Sequence, residues 1–212
     1  MKTGLLFDLD GTLLDTLDDL MDSTNYILAQ NGYPQRSRRE IRAFVGNGAR
    51  NLLLKAAPAG ADVDALLARF QPYYAAHCQI RTRPYPGVAA AVAALRKEYP
   101  IAIVSNKPDN AVKTLCAQLF PGISAVGERP DCPRKPAPDM VWRAMAELEV
   151  DRCIYIGDSE VDVLTAKNAG VPCVSVLWGF RDRTEIEAAG GSVFCEKAED
   201  LPTIIGGLCN GQ

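Results

Sequence analysis

The chain has 212 residues, 48% of them hydrophobic and 23% charged, with a formal net charge of −3. That length carries one full core and a small second domain, and the mild negative charge argues against a surface built for nucleic acid. No stretch approaches the ~18 apolar residues that a membrane span needs, and Asp8 interrupts the first apolar run too early for a signal peptide.

Residues 4–7, Gly-Leu-Leu-Phe, predict a short buried strand. It ends in Asp8 and Asp10, with Gly11 and Thr12 turning the chain away. A buried strand has no structural use for two acids, because an unpaired buried charge is costly. Open α/β sheets bind ligands at that edge, so a cationic or phosphorylated group is expected there. From 15 to 83 the apolar spacing is helical, at 17–29, 40–45, 49–56 and 64–76. This segment reads as an inserted all-helical domain, left through the rigid Pro84-Tyr85-Pro86-Gly87. Arg36, Arg38, Arg39 and Arg42, interrupted by Glu40, read as a solvated helix face.

The remainder alternates. A helix at 88–97 is followed by a strand at 101–105, a helix at 110–119 and a weak strand at 123–127. After a Pro-rich loop at 130–138 come a helix at 139–148, a strand at 153–156, a helix at 161–169 and a strand at 173–177. Residues 192–195 read as one more short strand. Near-continuous apolar strands between helices imply an α/β fold, a doubly wound parallel sheet built from 1–14 and 84–212. The seven cysteines (78, 116, 132, 153, 173, 195 and 209) are odd in number and form no Cys-x-x-Cys pair. They read as small core hydrophobes in a reducing, cytoplasmic compartment.

Four strand ends or following loops carry polar residues: Asp8 and Asp10; Ser105-Asn106-Lys107; Arg134-Lys135-Pro136-Ala137-Pro138; and Gly157-Asp158-Ser159-Glu160-Val161-Asp162. A parallel sheet brings them to one rim. Asp8 and Asp158 make an oxygen-rich site suited to Mg²⁺, while Lys135 and Ser105 offer a charge and a donor to phosphate. A carboxylate facing a phosphoryl group, here Asp8, can attack phosphorus. Asp10 can protonate the leaving alkoxide and then deprotonate water. Thr12 is expected to orient Asp10 and the turn. Asp162, one helical turn after Asp158, is expected to hold Lys135 or an ion-bound water. Simpler readings make Ser105 and Asn106 a helix N-cap before Pro108, Glu160 a solvated side chain, and His77 a packed or surface histidine. Trp142 and Trp178 read as core or interface aromatics.

Phe7-Asp8-Leu9-Asp10-Gly11-Thr12, Ser105-Asn106, Lys135-Pro136 and Gly157-Asp158-Ser159-Glu160-Val161-Asp162 together resemble the four ordered motifs of the haloacid dehalogenase superfamily. The resemblance spans nearly the whole chain and makes the helical insertion a cap. It implies a Mg²⁺-dependent phosphomonoester hydrolase working through an aspartyl-phosphate on Asp8, the ion held by Asp8, Asp158 and the backbone carbonyl of Asp10. Asp10 is similar to the acid/base of the superfamily's phosphatases; the dehalogenases lack an acid there. Val45-Gly46-Asn47-Gly48, Ser105-Asn106-Lys107-Pro108 and Thr82-Arg83-Pro84-Tyr85-Pro86-Gly87-Val88 are similar to the phosphoglycolate phosphatase group, which implies 2-phosphoglycolate as substrate. Phosphatases of pyrophosphate, nucleotides and sugar phosphates share parts of these segments.

Gly46-Asn47-Gly48 reads either as a bare connector or as a loop meeting the substrate through Asn47 or Arg50. A phosphomutase is the first rival, but Leu17-Asp18-Asp19 lacks the histidine expected of the sugar phosphomutases. A phosphonatase would need a cap amine, where Lys55 is the only lysine. A non-catalytic phosphate-binding protein is a rival of another class, against which intact Asp8, Asp10, Lys135 and Asp158 argue. The expected partner is a small phosphorylated metabolite, with no nucleic acid or membrane, for a monomer or homodimer.

Overall fold

The computed structural model describes residues 2–210 and divides the chain into two compact units, Met1–Leu14 with Pro84–Gln212, and Asp15–Arg83. The chain opens with β1 (Thr3–Phe7) and β2 (Leu14–Asp15), then α1 (Leu17–Ala29), α2 (Arg38–Phe44), α3 (Gly48–Ala56) and α4 (Val63–His77). It continues through β3 (Arg83–Pro84), α5 (Val88–Leu95), β4 (Ile101–Pro108), α6 (Asp109–Leu119) and β5 (Ser124–Glu128). The last elements are α7 (Asp139–Leu148), β6 (Arg152–Gly157), α8 (Glu160–Ala169), β7 (Cys173–Val176), α9 (Arg183–Ala188), β8 (Phe194–Cys195) and α10 (Leu201–Asn210).

Six strands form one sheet in the order β5-β4-β1-β6-β7-β8, every pairing parallel. β1 lies between β4 and β6, with Leu6 opposite Ala102 on one side and Tyr155 on the other. Its apolar residues on both faces are what a strand covered by helices on either side requires. Leu6, Ala102, Val104 and Tyr155 pack with Met140, Val141 and Ala144 of α7 in one buried cluster. From β4 the chain moves outward to β5, then returns to β6 on the far side of β1 and moves outward again. The connections therefore diverge around the C-terminal end of β1, the place where open α/β sheets form a ligand crevice.

The strand β4 runs to Pro108, three residues past its predicted end, with an irregular register between Val104 and Pro108. Pro108 occupies the N-cap position of α6, so Ser105 and Asn106 are strand residues and not helix caps. The helix predicted at 88–97 stops at Leu95.

In the helical unit, Ser37 and Glu40 form a reciprocal capping box on α2, and Asp62 caps α4. Arg36 is not part of the solvated face expected of it: it precedes α2 and donates from Nε to the carbonyl of Ala56. The buried Asp19 carboxylate accepts the backbone N–H groups of Arg81 and Thr82, tying the end of this unit to its first helix. Tyr26, Tyr73 and His77 stack in series with centroids 4.0 Å apart, and Nδ1 of His77 lies 2.7 Å from the Tyr73 carbonyl. His77 is thus a packed histidine. All seven cysteines are free thiols, five of them buried. No helix among the described residues is long and apolar enough to cross a membrane.

Candidate active site

Asp8 directly follows β1, and its N–H donates to the Ile156 carbonyl, so β6 fixes where the side chain leaves the sheet. Beside it lies Lys135, only 2% exposed, with Nζ 2.9 Å from Asp8 Oδ1, 2.8 Å from Asp162 Oδ1 and 3.0 Å from the Tyr155 hydroxyl. Asn106 at the end of β4 clamps the main chain of Lys135. Its Oδ1 accepts from the Lys135 N–H at 2.8 Å and its Nδ2 donates to the Lys135 carbonyl at 3.0 Å. One strand end therefore aims a lysine carried by a loop.

Asp158 follows β6. Its Oδ1 accepts from the Thr12 hydroxyl at 2.9 Å and its Oδ2 from the Phe180 N–H at 2.7 Å. Asp162, in the first turn of α8, has both oxygens engaged. Oδ2 accepts from the Ser159 hydroxyl and from the N–H groups of Asp158 and Ser159, and Oδ1 meets Lys135. It braces the helix start and the lysine. On Asp8, Oδ1 accepts from Lys135 and from the Leu9 N–H, whereas Oδ2 has no hydrogen-bond partner among the described residues. Asp10 forms a separate pair, both of its oxygens accepting from Lys107 Nζ at 2.7 and 2.9 Å. Ser105 is buried and accepts the Lys107 N–H on its Oγ. Close approach explains two glycines. A Cβ on Gly11, which has φ +91°, or on Gly179 would lie 2.3 Å from Asp158 atoms.

Burial pushes the Asp8 carboxyl well above the usual carboxylate range, the neighbouring Asp162 and Asp158 adding to this and Lys135 opposing it. Asp158 is pushed up to about 7, first by burial and then by the charge of Asp162. For Lys135 burial opposes the charged form, but Asp162 and Asp8 outweigh it and hold the ammonium well above the ordinary lysine value. When ionised, the three buried carboxylates outnumber the one ammonium among them by two charges, Lys107 being paired separately with Asp10. Oxygens from Asp8, Asp158 and Asp162 all lie within 4.8 Å of one another. All-carboxylate donors with a deficit of two charges fit a hard divalent cation, with Asp8 and Asp158 the residues placed to hold it.

A pH dependence follows from Asp158. Its folded value near 7 lies above the unfolded 3.8, so the folded state binds the proton more tightly. The resulting stability is present below the unfolded value and lost as pH rises toward 7. In ion-free protein the melting temperature is expected to fall between about pH 5 and about pH 8, and Asp158→Asn to flatten that fall. The asparagine keeps one acceptor for the Phe180 N–H, while the Thr12 hydroxyl turns to accept from its amide. Thermal melts in chelator check this, and an equal slope in both proteins refutes the assignment.

Thr12 corrects the sequence reading: its hydroxyl donates to Asp158 and not to Asp10. Asp10 is oriented instead by Lys107, which the sequence showed only as the residue after Ser105-Asn106. Arg134 stands aside, paired with Glu128. Glu160 pairs with the buried Arg181 at 2.8 Å and is not simply solvated. Trp178 is not core filling: its indole N–H donates to the Thr12 carbonyl at 2.9 Å. Tyr155 and the Phe180 amide escaped the sequence reading; Trp178-Gly179-Phe180 directly after a strand was the available signal. In the helical unit, Asn47 stands at the N-cap position of α3 without a side-chain cap bond. Arg50 makes a two-pronged exposed pair with Asp64 of α4.

A model of haloacid dehalogenase-like hydrolases matches residues 5–176. A phosphoglycolate phosphatase of Rhodobacter capsulatus is 36% identical over 219 residues, covering 98% of this chain and 98% of that protein. One from Mesorhizobium japonicum is 36% identical over 193 residues, covering 84% of each. A crystal structure of a protein from Lactobacillus delbrueckii subsp. bulgaricus superposes with a TM-score of 0.89 at 37% identity, covering 97% of this chain and 99% of that one.

Proposed function

The chain belongs to the haloacid dehalogenase-like hydrolase family, and from that premise we propose that it is a Mg²⁺-dependent phosphatase of 2-phosphoglycolate acting through an aspartyl-phosphate on Asp8. The observation that carries the reading is the carboxylate cluster short of two positive charges, with one Asp8 oxygen uncommitted among the described residues. The substrate rests on the relatives from Rhodobacter capsulatus and Mesorhizobium japonicum, both phosphoglycolate phosphatases.

Asp8 and Asp158, with the main-chain carbonyl of Asp10, are the ligands proposed for Mg²⁺, which when bound would neutralise charge on the phosphoryl oxygens. Oδ2 of Asp8 attacks phosphorus, and the bond from phosphorus to the ester oxygen breaks. Asp10 delivers a proton to the departing alkoxide. It then takes a proton from water, whose oxygen attacks the phosphorus of the acyl phosphate, releasing phosphate and restoring the Asp8 carboxylate. Lys135 holds Asp8 in place and sets its positive charge beside the phosphoryl oxygens, and Ser105 presents a hydroxyl to them. Lys107 Nζ donates to both Asp10 oxygens and so fixes where that carboxyl group stands on the rim.

The test is phosphate release from 2-phosphoglycolate, nucleotides, pyrophosphate and hexose phosphates, with Mg²⁺ and after chelation. Highest kcat/KM on 2-phosphoglycolate, lost on chelation and restored by Mg²⁺, is expected. Isomer formation without phosphate release would favour a mutase. Asp10→Asn is expected to lower kcat by roughly 10²–10⁴-fold, the usual contribution of general acid–base catalysis. Steady-state rates check this, and a rate near that of the parent would remove Asp10 from the proton path.

A further inference from the structure

We infer that Trp178 is a positioning residue for the divalent-ion site, holding Asp158 through two elements at once. The inference rests on the ion-binding reading above and assigns a residue outside the four motifs. Asp158 makes two hydrogen bonds that do not come from its own strand or helix. One comes from the Thr12 hydroxyl in the turn after β1, the other from the Phe180 N–H in the segment after β7. These two donors belong to segments more than 160 residues apart in sequence, and the indole of Trp178 joins them. Its N–H donates to the Thr12 carbonyl at 2.9 Å, while its own main chain leads through Gly179 to Phe180.

Asp158, Thr12, Trp178 and Phe180 therefore close a ring of three hydrogen bonds, at 2.7, 2.9 and 2.9 Å. The ring is tight. A Cβ on Gly179 would come within 2.3 Å of the Asp158 Cβ, so the segment after β7 has a single place to lie against the carboxylate. Such a ring sets the direction of both Asp158 oxygens before an ion arrives, and a ligand fixed in advance loses less freedom on binding. Trp178 is partly exposed beside this ring. Filling a core would need the ring system alone, whereas this indole is placed by its N–H.

The chain has two tryptophans, which makes the test direct. The other, Trp142, is 53% exposed and lies on α7, outside the ring. In Trp142→Phe protein the only indole is Trp178. Adding Mg²⁺ is expected to change its emission, with a midpoint equal to the dissociation constant from calorimetry. In Trp178→Phe protein the Mg²⁺ dissociation constant is expected to rise about fivefold, as for the loss of one hydrogen bond. Trp142→Phe is expected to leave it unchanged. Mg²⁺ binding without an emission change, or Trp178→Phe with lowered melting temperature but unaltered affinity, would overturn the positioning role. No calorimetric binding to the parent protein would overturn the ion site itself and the inference with it. Should Trp178→Phe fail to fold, the emission of Trp142→Phe decides alone.

Discussion

Asp8→Asn is expected to lose phosphatase turnover by roughly 10⁴-fold or more, the scale seen when a nucleophile is removed from a concerted site, while the protein stays folded. The amide nitrogen cannot attack phosphorus, and the remaining amide oxygen carries no full charge to do so. Stability is expected to hold for a separate reason. Asp8 is one of three buried carboxylates sharing one ammonium, and burial already raises its pKa against the charged form. Removing that charge relieves the cluster, and Lys135 keeps Asp162 at 2.8 Å. Phosphate release and thermal melts on the same preparation separate the two effects. Turnover near the parent rate would move the nucleophile elsewhere; loss of activity together with unfolding would leave Asp8 a structural group.

Lys135→Met is expected to have the largest effect on stability. The methionine occupies much the same volume but leaves Asp8 and Asp162 without their shared cation. Breaking a buried ion pair from one side costs about 3–5 kcal/mol, and at this chain length that lowers the melting temperature by roughly 10 °C. Lys135→Arg is not expected to restore it, because a planar guanidinium does not fit where a compact ammonium meets Asp8, Asp162 and Tyr155 together. Millimolar Mg²⁺ is expected to recover part of the loss by supplying positive charge to the same oxygens. Urea melts with and without Mg²⁺ measure this, and a loss under about 1 kcal/mol would show that Lys135 is not the cation balancing the cluster.

Much of the sheet was legible because its strands are apolar on both faces and its helices are amphipathic. The helix read at 139–148 is α7 with the same bounds, and the weak strand read at 123–127 is β5 shifted by one residue. Alternation of strand and helix was enough to place Asp8, Ser105 and Asp158 on one rim. What escaped were elements too short or too broken for periodicity to register. β2 and β3 have two residues each, α9 has six, and α10 carries Gly206 and Gly207 in its interior. Hydrogen-bond partners escaped for another reason. Thr12 is two residues from Asp10 and 146 from Asp158, and only the side-by-side pairing of β1 and β6 decides that it reaches the distant one. Lys107 reaches Asp10 because β4 continues past Ser105 with a shifted register, which no local pattern announces.

The central position of β1 also has a consequence for biosynthesis. Both of its neighbours leave the ribosome later: β4 begins at Ile101 and β6 at Arg152. At about 5–20 residues per second, this strand waits on the order of ten seconds for its second partner, and the nascent chain cannot complete the crevice meanwhile. Residues 15–83, contiguous and helical, need no such delay to find their contacts. Translation order therefore makes the reactive centre a late-assembling part of the protein, although its key aspartate is joined well before either neighbouring strand.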